Sequence, residues 1–399
     1  MTLRDFRIGW RLLAREPAYS AIVIGSLALG YAVCFLLLGL VRYCSTYDSA
    51  VPDAARVFVL QHRVNLMPTP TWIEFMPLPF QDAARRSALT LQTSAAIPRE
   101  VVLVAGQVSR RDEVTAVDAA FPAMFGLAAL EGELDGALAR PEGLVLTASL
   151  ARQLFGAGPA LHQSVAVGDA TLRVMAVVAD APSNSTMPYS ALVGRDSIIW
   201  SGAERAAARS RWQGLGGKIY LRLRDGVAAA DMAAALQDAA DQSPWKEMAP
   251  TPQDRQRIGH VIEVRLRSLP DAYFDTEVAN GYRSGPRGER RVVLALGAVA
   301  LLVLALAAAN YLNLATVRTL RREREIGLRK AIGAGRAQLA GLLMAESTLV
   351  MLLAYAAGLL LAWLLLPLFA ELVERRLEGV FAPASVAAGL LAALAIGAA

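Results

Sequence analysis

Four stretches of the 399-residue chain carry no charged side chain: 18–41, 292–317, 347–370 and 379–399. The first three each exceed the ~20 apolar residues that carry an α-helix across ~30 Å of hydrocarbon. The pattern predicts transmembrane helices at 18–41, 292–317 and 341–370, an outer loop at 371–378 and a fourth helix starting at 379–399, truncated where the chain ends. A cleaved signal peptide explains the first run less well. Its 24 uncharged residues exceed the usual core of about 7–15, and no A-x-A site follows.

Residues 42–291 follow a different period. Short β-rich runs recur at 57–60, 101–104, 114–117, 144–146, 219–223 and 261–266. In "KIYLRLRDG" and "HVIEVRLRSL" apolar and polar positions alternate, as on a half-buried strand. "SVAVGDATLRVMAVVAD" (164–180) places two β-rich arms around Gly168 and Asp169, a hairpin signal. Helices are predicted at 149–155 and in the alanine-rich 228–242, which opens near Asp231. "APSNSTMPYS" (181–190) reads as a turn-rich loop. The expected fold class is therefore an α-helical membrane protein with a large α+β extracytoplasmic domain at 42–291.

Composition agrees, since 55% of the residues are hydrophobic, too many for an ordinary soluble protein. Charge sets the orientation, because short loops rich in Lys and Arg stay on the cytoplasmic side. Residues 1–17 hold Arg4, Arg7, Arg11 and Arg15 against two acids, and 318–336 hold seven basic residues against Glu323 and Glu325. Residues 371–378 carry three Glu against Arg375 and Arg376, as an outer loop should. Residues 42–291 balance 27 basic against 27 acidic side chains, so the net charge of +5 belongs to the membrane-associated parts. It marks topology, not nucleic-acid binding. Leu3, Phe6, Trp10 and Leu13 fall at helical spacing among arginines, predicting an amphipathic helix over 1–17 in the inner interface.

Candidate chemistry is sparse. Cys34 and Cys44 lie ten residues apart in and just after the first span, too far on a helix for a disulfide. His62, His162 and His260 lack metal-ligand spacing, and no cofactor is expected. The outer segment shows no nucleophile–base pattern or paired carboxylates, so its Ser, Asp and His residues read as surface and cap residues. The sequence contains no G-x-x-x-x-G-K-[ST] phosphate loop. Glu346, one turn inside the third span, is an acid near a membrane core. Lipid exposure there would be costly, so it should pair with an arginine of 318–340 or with Asn310 or Asn313, or reach the headgroups.

The most charged stretch, "RREREIGLRKAIGAGRAQLAGLLMAES" (321–347), lies between two of the apolar runs and resembles the signature link of FtsX-like permeases, the membrane subunits of MacB-type and lipoprotein-releasing ABC transporters. "NYLNLATVRT" (310–319) is similar to the end of that family's second span, and "GWRLLAREPAYSAIVIGSLALGYA" (9–32) to its N-terminal segment and first span. "VDAAFPAMFGLAALEGEL", "GLVLTASLARQLFG" and "LRVMAVVADAPSNSTMPY" resemble its periplasmic core domain. The chain departs at His162 and Ala176, where the family tends to have Gly.

The resemblance implies that 318–340 is a coupling segment docking into a separate ATP-binding subunit, with Glu325, Ile326, Gly327, Leu328, Arg329, Lys330, Ile332 and Gly333 as its contact residues. Their chemistry suits that use: Glu325 and Arg329 form a favourable i,i+4 pair, Ile326, Leu328 and Ile332 offer apolar knobs, and the glycines permit close approach. The alternative is that the seven basic residues only anchor the chain to anionic lipid. The resemblance further implies a second permease copy or a second half of a longer chain, a periplasmic or outer-membrane partner, a location in the inner membrane, and export or release of a substrate. A signalling membrane protein that regulates an envelope enzyme or senses peptides is the alternative function.

Overall fold

The computed structural model describes residues 7, 10–11, 13–14, 16–212, 216–248, 251, 258–279, 286–321, 328, 331 and 335–398. The chain divides into two units, one of residues 1–45 with 290–399 and the other of residues 46–289.

In chain order the elements begin with α1 (Pro17–Ser45), β1 (Val57–Val64), β2 (Phe75–Met76), α2 (Pro79–Arg86), β3 (Thr90–Ala105) and β4 (Val108–Val117). Next come α3 (Phe121–Phe125), β5 (Ala129–Gly132), α4 (Leu134–Ala139), β6 (Gly143–Thr147), α5 (Ala148–Phe155), β7 (Ser164–Val167), β8 (Ala170–Val178) and β9 (Ala191–Gly194). The outer unit ends with α6 (Gly202–Ser210), β10 (Gly217–Leu223), α7 (Ala229–Asp241), β11 (Ile262–Ser268) and α8 (Leu269–Ala272). Three apolar helices follow: α9 (Arg290–Arg321), α10 (Arg336–Leu372) and α11 (Pro383–Ala398).

In the helical unit α1, α9 and α10 are each long and apolar enough to cross a membrane, and α11 is a shorter apolar helix. α1 packs against both α9 and α10, and α11 packs on α10. Close packing rests on small residues, as it must where lipid is as apolar as the side chains. At Gly30 a Cβ would come within 2.6 Å of Ala307. Tyr31 meets Tyr355 edge-on at 5.7 Å, and Tyr355 donates its hydroxyl to the Val386 carbonyl at 2.6 Å. α9 turns Leu294, Leu301, Leu302 and Leu306 outward. Of the amphipathic positions, Leu13 is buried and Trp10 exposed, whereas Leu3 and Phe6 lie outside the described residues.

The outer unit is built on one eleven-stranded sheet in the order β11-β1-β10-β3-β4-β9-β6-β8-β5, with β2 on β10 and β7 bridging β3 and β8. The pairs β4–β9 and β6–β8 are parallel; the others are antiparallel. β7 and β8 form the hairpin turning at Gly168 and Asp169. α5 is capped by Thr147, whose hydroxyl accepts from the Leu150 amide, and α6 by a reciprocal Ser201/Glu204 capping box. His162, where the resemblance expects Gly, sits at φ +66°, the left-handed region that Gly adopts without cost. Ala176 is fully buried beside a register shift between β6 and β8.

One core lies between β1, β10 and the helices α2 and α7, around Leu60, Phe80, Ile219, Met232 and Trp245. A second lies under β6, β8 and α5, around Leu144, Leu154, Leu172 and Val174. A third, around Phe121, Met124, Leu192 and Tyr220, draws on both halves of the sheet. His62 is buried in the first, its Nδ1 3.0 Å from the Met76 sulfur and its ring tilted against Trp245.

Burial lowers the His62 imidazole from its ordinary 6.5 to about 4. Between those two values the unfolded chain binds the extra proton, so stability should fall as the pH drops from about 6.5 towards 4. A gap of that size is worth about 3 kcal/mol when fully developed. Denaturant titrations of the purified chain at pH 7, 5.5 and 4 should show this loss. His62→Leu should flatten it; an equally steep loss in that variant would place the dependence elsewhere.

Candidate coupling site

The charged linker is framed by the end of α9 and the start of α10. α9 continues past the uncharged run to Arg321 because nothing in "RTLR" breaks a helix. α10 begins from Gly335, whose extended backbone (φ −69°, ψ 154°) sets the chain into the helix without a side-chain cap. The helices thus place Arg318 in the last turn of one and Glu346 within the first three turns of the other.

These two side chains form an ion pair through Nη1 and Oε1. Arg318 is 12% exposed and Glu346 11%, so both charges have left most of their water. The Arg318 guanidinium also stands 3.5 Å from Glu16 Oε2 and 5.0 Å over the Tyr19 ring, a cation–π contact. Three elements converge here: the residues leading into α1, the end of α9 and the start of α10. A small cavity of about 60 Å³ beside the pair is lined by Leu13, Tyr19, Ser20, Tyr311, Ser347 and Val350 among others.

Of the residues singled out by sequence, Glu325, Ile326, Gly327, Arg329, Lys330, Ile332 and Gly333 lie outside the described residues. Leu328 is helical and 63% exposed, an apolar side chain turned away from its own unit. Asn310 donates to Ser26 Oγ at 3.4 Å, and Asn313 is exposed; neither meets Glu346. Sequence reasoning missed Glu16 and Tyr19, which carry no signal distinguishing them from other residues before a span.

It also missed the buried polar residues of the outer unit. Asp48, Glu74, Thr186 and Lys218 are each at most 5% exposed, where a surface role is expected from composition. An open cleft of about 510 Å³ at the carboxyl ends of β4 and β9 is lined by Arg85, Arg140 and Arg195 against Asp82, Asp118 and Asp196. Its charges balance.

Residues 20–239 match the family model for the MacB-like periplasmic core domain, and residues 297–399 match that for the FtsX-like permease C-terminal. The chain belongs to the FtsX/MacB-type permease family. It is accordingly a multi-pass membrane protein of the ABC-type permease class with an extracytoplasmic domain, and both Arg318 and Glu346 fall in its FtsX-like part. No match was found among curated proteins.

Three solved structures resemble this permease. A domain of a protein described as a permease from Porphyromonas gingivalis is 16% identical, with 61% of this chain and 98% of that one covered at a TM-score of 0.44. The periplasmic region of MacB from Actinobacillus actinomycetemcomitans is 12% identical, covering 58% and 97% at 0.39. The extracellular domain of the noncanonic ABC-type transporter YknZ from Gram-positive bacteria is 9% identical, covering 52% and 98% at 0.35. The family assignment rests on the two family models.

Proposed function

We propose that this permease works with a separate ATP-binding subunit that docks on segment 318–340, and that ATP-driven movement of that segment is passed to the extracytoplasmic domain to export or release a substrate. The observation that carries the reading is the Arg318–Glu346 pair. It joins the two helices that flank the linker, so a push on the linker acts on α9 and α10 together. Leu328, exposed beside Ile326 in sequence, supplies apolar surface for a groove in the partner.

In this reading the protein sits in the inner membrane beside a second permease copy, or a second half of a longer chain, and engages a periplasmic or outer-membrane partner. Glu325, Ile326, Gly327, Leu328, Arg329, Lys330, Ile332 and Gly333 form the docking face. Two ATP-binding subunits closing on each other would press the linkers and tilt the spans.

The test is capture of the ATP-binding subunit by the membrane-inserted chain. Ile326→Asp or Leu328→Asp should cut capture by at least tenfold, since burying an unpaired carboxylate in the contact costs several kcal/mol. Arg321→Gln with Arg322→Gln should matter less, because lipid attraction contributes roughly 1 kcal/mol per charge. Undiminished capture by both Asp variants, with the arginine variant failing to insert, would leave lipid anchoring as the better account.

A further inference from the structure

The chain crosses between its two units at 45/46 and at 289/290. We propose that a buried polar clasp inside the outer unit binds the residues just past the first crossing, 46–48, to those just before the second, 287–289, so that a displacement applied at one is delivered to the other. The proposal concerns the outer unit alone and needs no ATP-binding partner.

The clasp is a chain of alternating charge. Asp48 accepts from Ser185 Oγ at 2.9 Å, from the Thr186 amide at 2.8 Å and from Thr186 Oγ1 at 2.6 Å. The Thr186 carbonyl accepts from Lys218 Nζ at 3.1 Å. Lys218 pairs with Glu74 Oε2 at 3.2 Å, and Glu74 Oε1 with Arg287 Nη2 at 2.5 Å. Arg287 in turn donates to the Ala272 carbonyl.

The loop 181–190 is what catches the first crossing. The Asn184 side chain donates to the Thr46 carbonyl at 2.8 Å, and the Asn184 carbonyl accepts from the Asp48 amide at 2.9 Å. A second route runs beside the ionic one. The Tyr47 and Tyr273 rings stack with centroids 3.6 Å apart, and the Tyr273 carbonyl accepts from the Gly288 amide at 2.9 Å.

Burial makes this arrangement informative. Asp48, Glu74 and Lys218 are 3%, 2% and 5% exposed, and the Arg287 side chain 4%. Four charges taken out of water add little net stability over apolar packing of the same volume. Their bonds are directional, and fix distance and register where apolar contacts can slide. The anchoring points also span the sheet. Glu74 immediately precedes β2, Lys218 lies in β10, and the loop with Thr186 is part of the connection between β8 and β9.

Hydrogen–deuterium exchange on the full-length chain in lipid nanodiscs tests the clasp. Lys218→Met keeps an unbranched side chain, one atom shorter, and removes the central charge. It should speed exchange about tenfold or more at both 46–48 and 287–289, leaving β6 and β8 unchanged. Thr186→Val deletes one hydroxyl and should give the same paired effect, weaker, in a fold that survives it. Faster exchange at only one crossing, at neither, or equally in β6 and β8 in the Thr186→Val chain would overturn the proposal. A failure here would leave the docking of segment 318–340 untouched, because that reading is judged by capture of the ATP-binding subunit.

Discussion

Methionine in place of Arg318 should destabilise the helical unit by about 3–5 kcal/mol, because it takes the guanidinium away from the Glu346 carboxylate in a poorly hydrated site. Glu346 is 11% exposed, too little for water to replace the lost partner. The double variant Arg318→Met with Glu346→Leu should recover most of that loss, since a buried ion pair exchanged for apolar side chains of similar volume is close to neutral. The asymmetry between the single and double changes is the signature. Unfolding of the purified chain in mixed micelles, followed by helical circular dichroism, would measure all three variants. A cost below about 1 kcal/mol for Arg318→Met would mean that the pair is solvated like a surface bridge, and that the helix ends are not held by it.

Valine at Gly143 or Gly194 should abolish the fold of the outer unit while leaving the membrane helices intact. A Cβ at Gly143 would stand 1.9 Å from the Ala137 carbonyl oxygen, and one at Gly194 the same distance from that of Leu138. Both oxygens belong to α4, which lies across the ends of β6 and β9. The obstruction is backbone, so no rotamer change relieves it and α4 would have to lift. That exposes Leu134, Ala137 and Leu138, now at most 8% exposed. A cost of about 3 kcal/mol or more is expected, at the upper end of overpacking effects. Gly202→Ala, with nothing within 4 Å of its Cβ, is the matched control and should change stability by less than about 0.5 kcal/mol. Limited proteolysis of the purified chain reads the outcome. A Gly143→Val chain as resistant as the unaltered one would show that α4 has room to move.

The membrane architecture was legible because its signal is local: an uncharged run of span length needs no partner to be recognised. The ends of the helices were less so. α1 extends to Ser45 and α9 to Arg321, past the uncharged runs, because a helix already formed adds polar residues cheaply. The β7–β8 hairpin was legible from Gly168 and Asp169, and α7 from its alanine-rich pattern. The order of the sheet was not, since β1 pairs with β10 and β11 across more than 150 positions and alternation names no partner. Glu346 stood out as an acid where acids are costly, but its choice of Arg318 over Asn310 and Asn313 depends on how the helices pack. Asp48, Lys218 and Glu74 gave no warning at all. A buried charge looks like a surface charge until its counter-ion, here up to 213 positions away, is brought to it.

The pairing of β1 fixes when the outer unit can be completed. β1 ends at Val64, and its neighbours are residues 220–222 and 262–268. Emerging in order behind α1, the chain has to deliver about two hundred further residues before β11 is present, roughly 10–40 s at the ~5–20 residues per second of synthesis. Through that interval Val59 and Leu60, fully or almost fully buried in the finished sheet, lack β11 beside them, and for most of it Val59 lacks β10 as well. Such long-range closure is slow and prone to wrong pairing. This outer unit is therefore born late, with its first strand waiting for its last, and a chain stalled before residue 262 would present an open sheet edge to whatever surveys unfinished proteins on that side of the membrane.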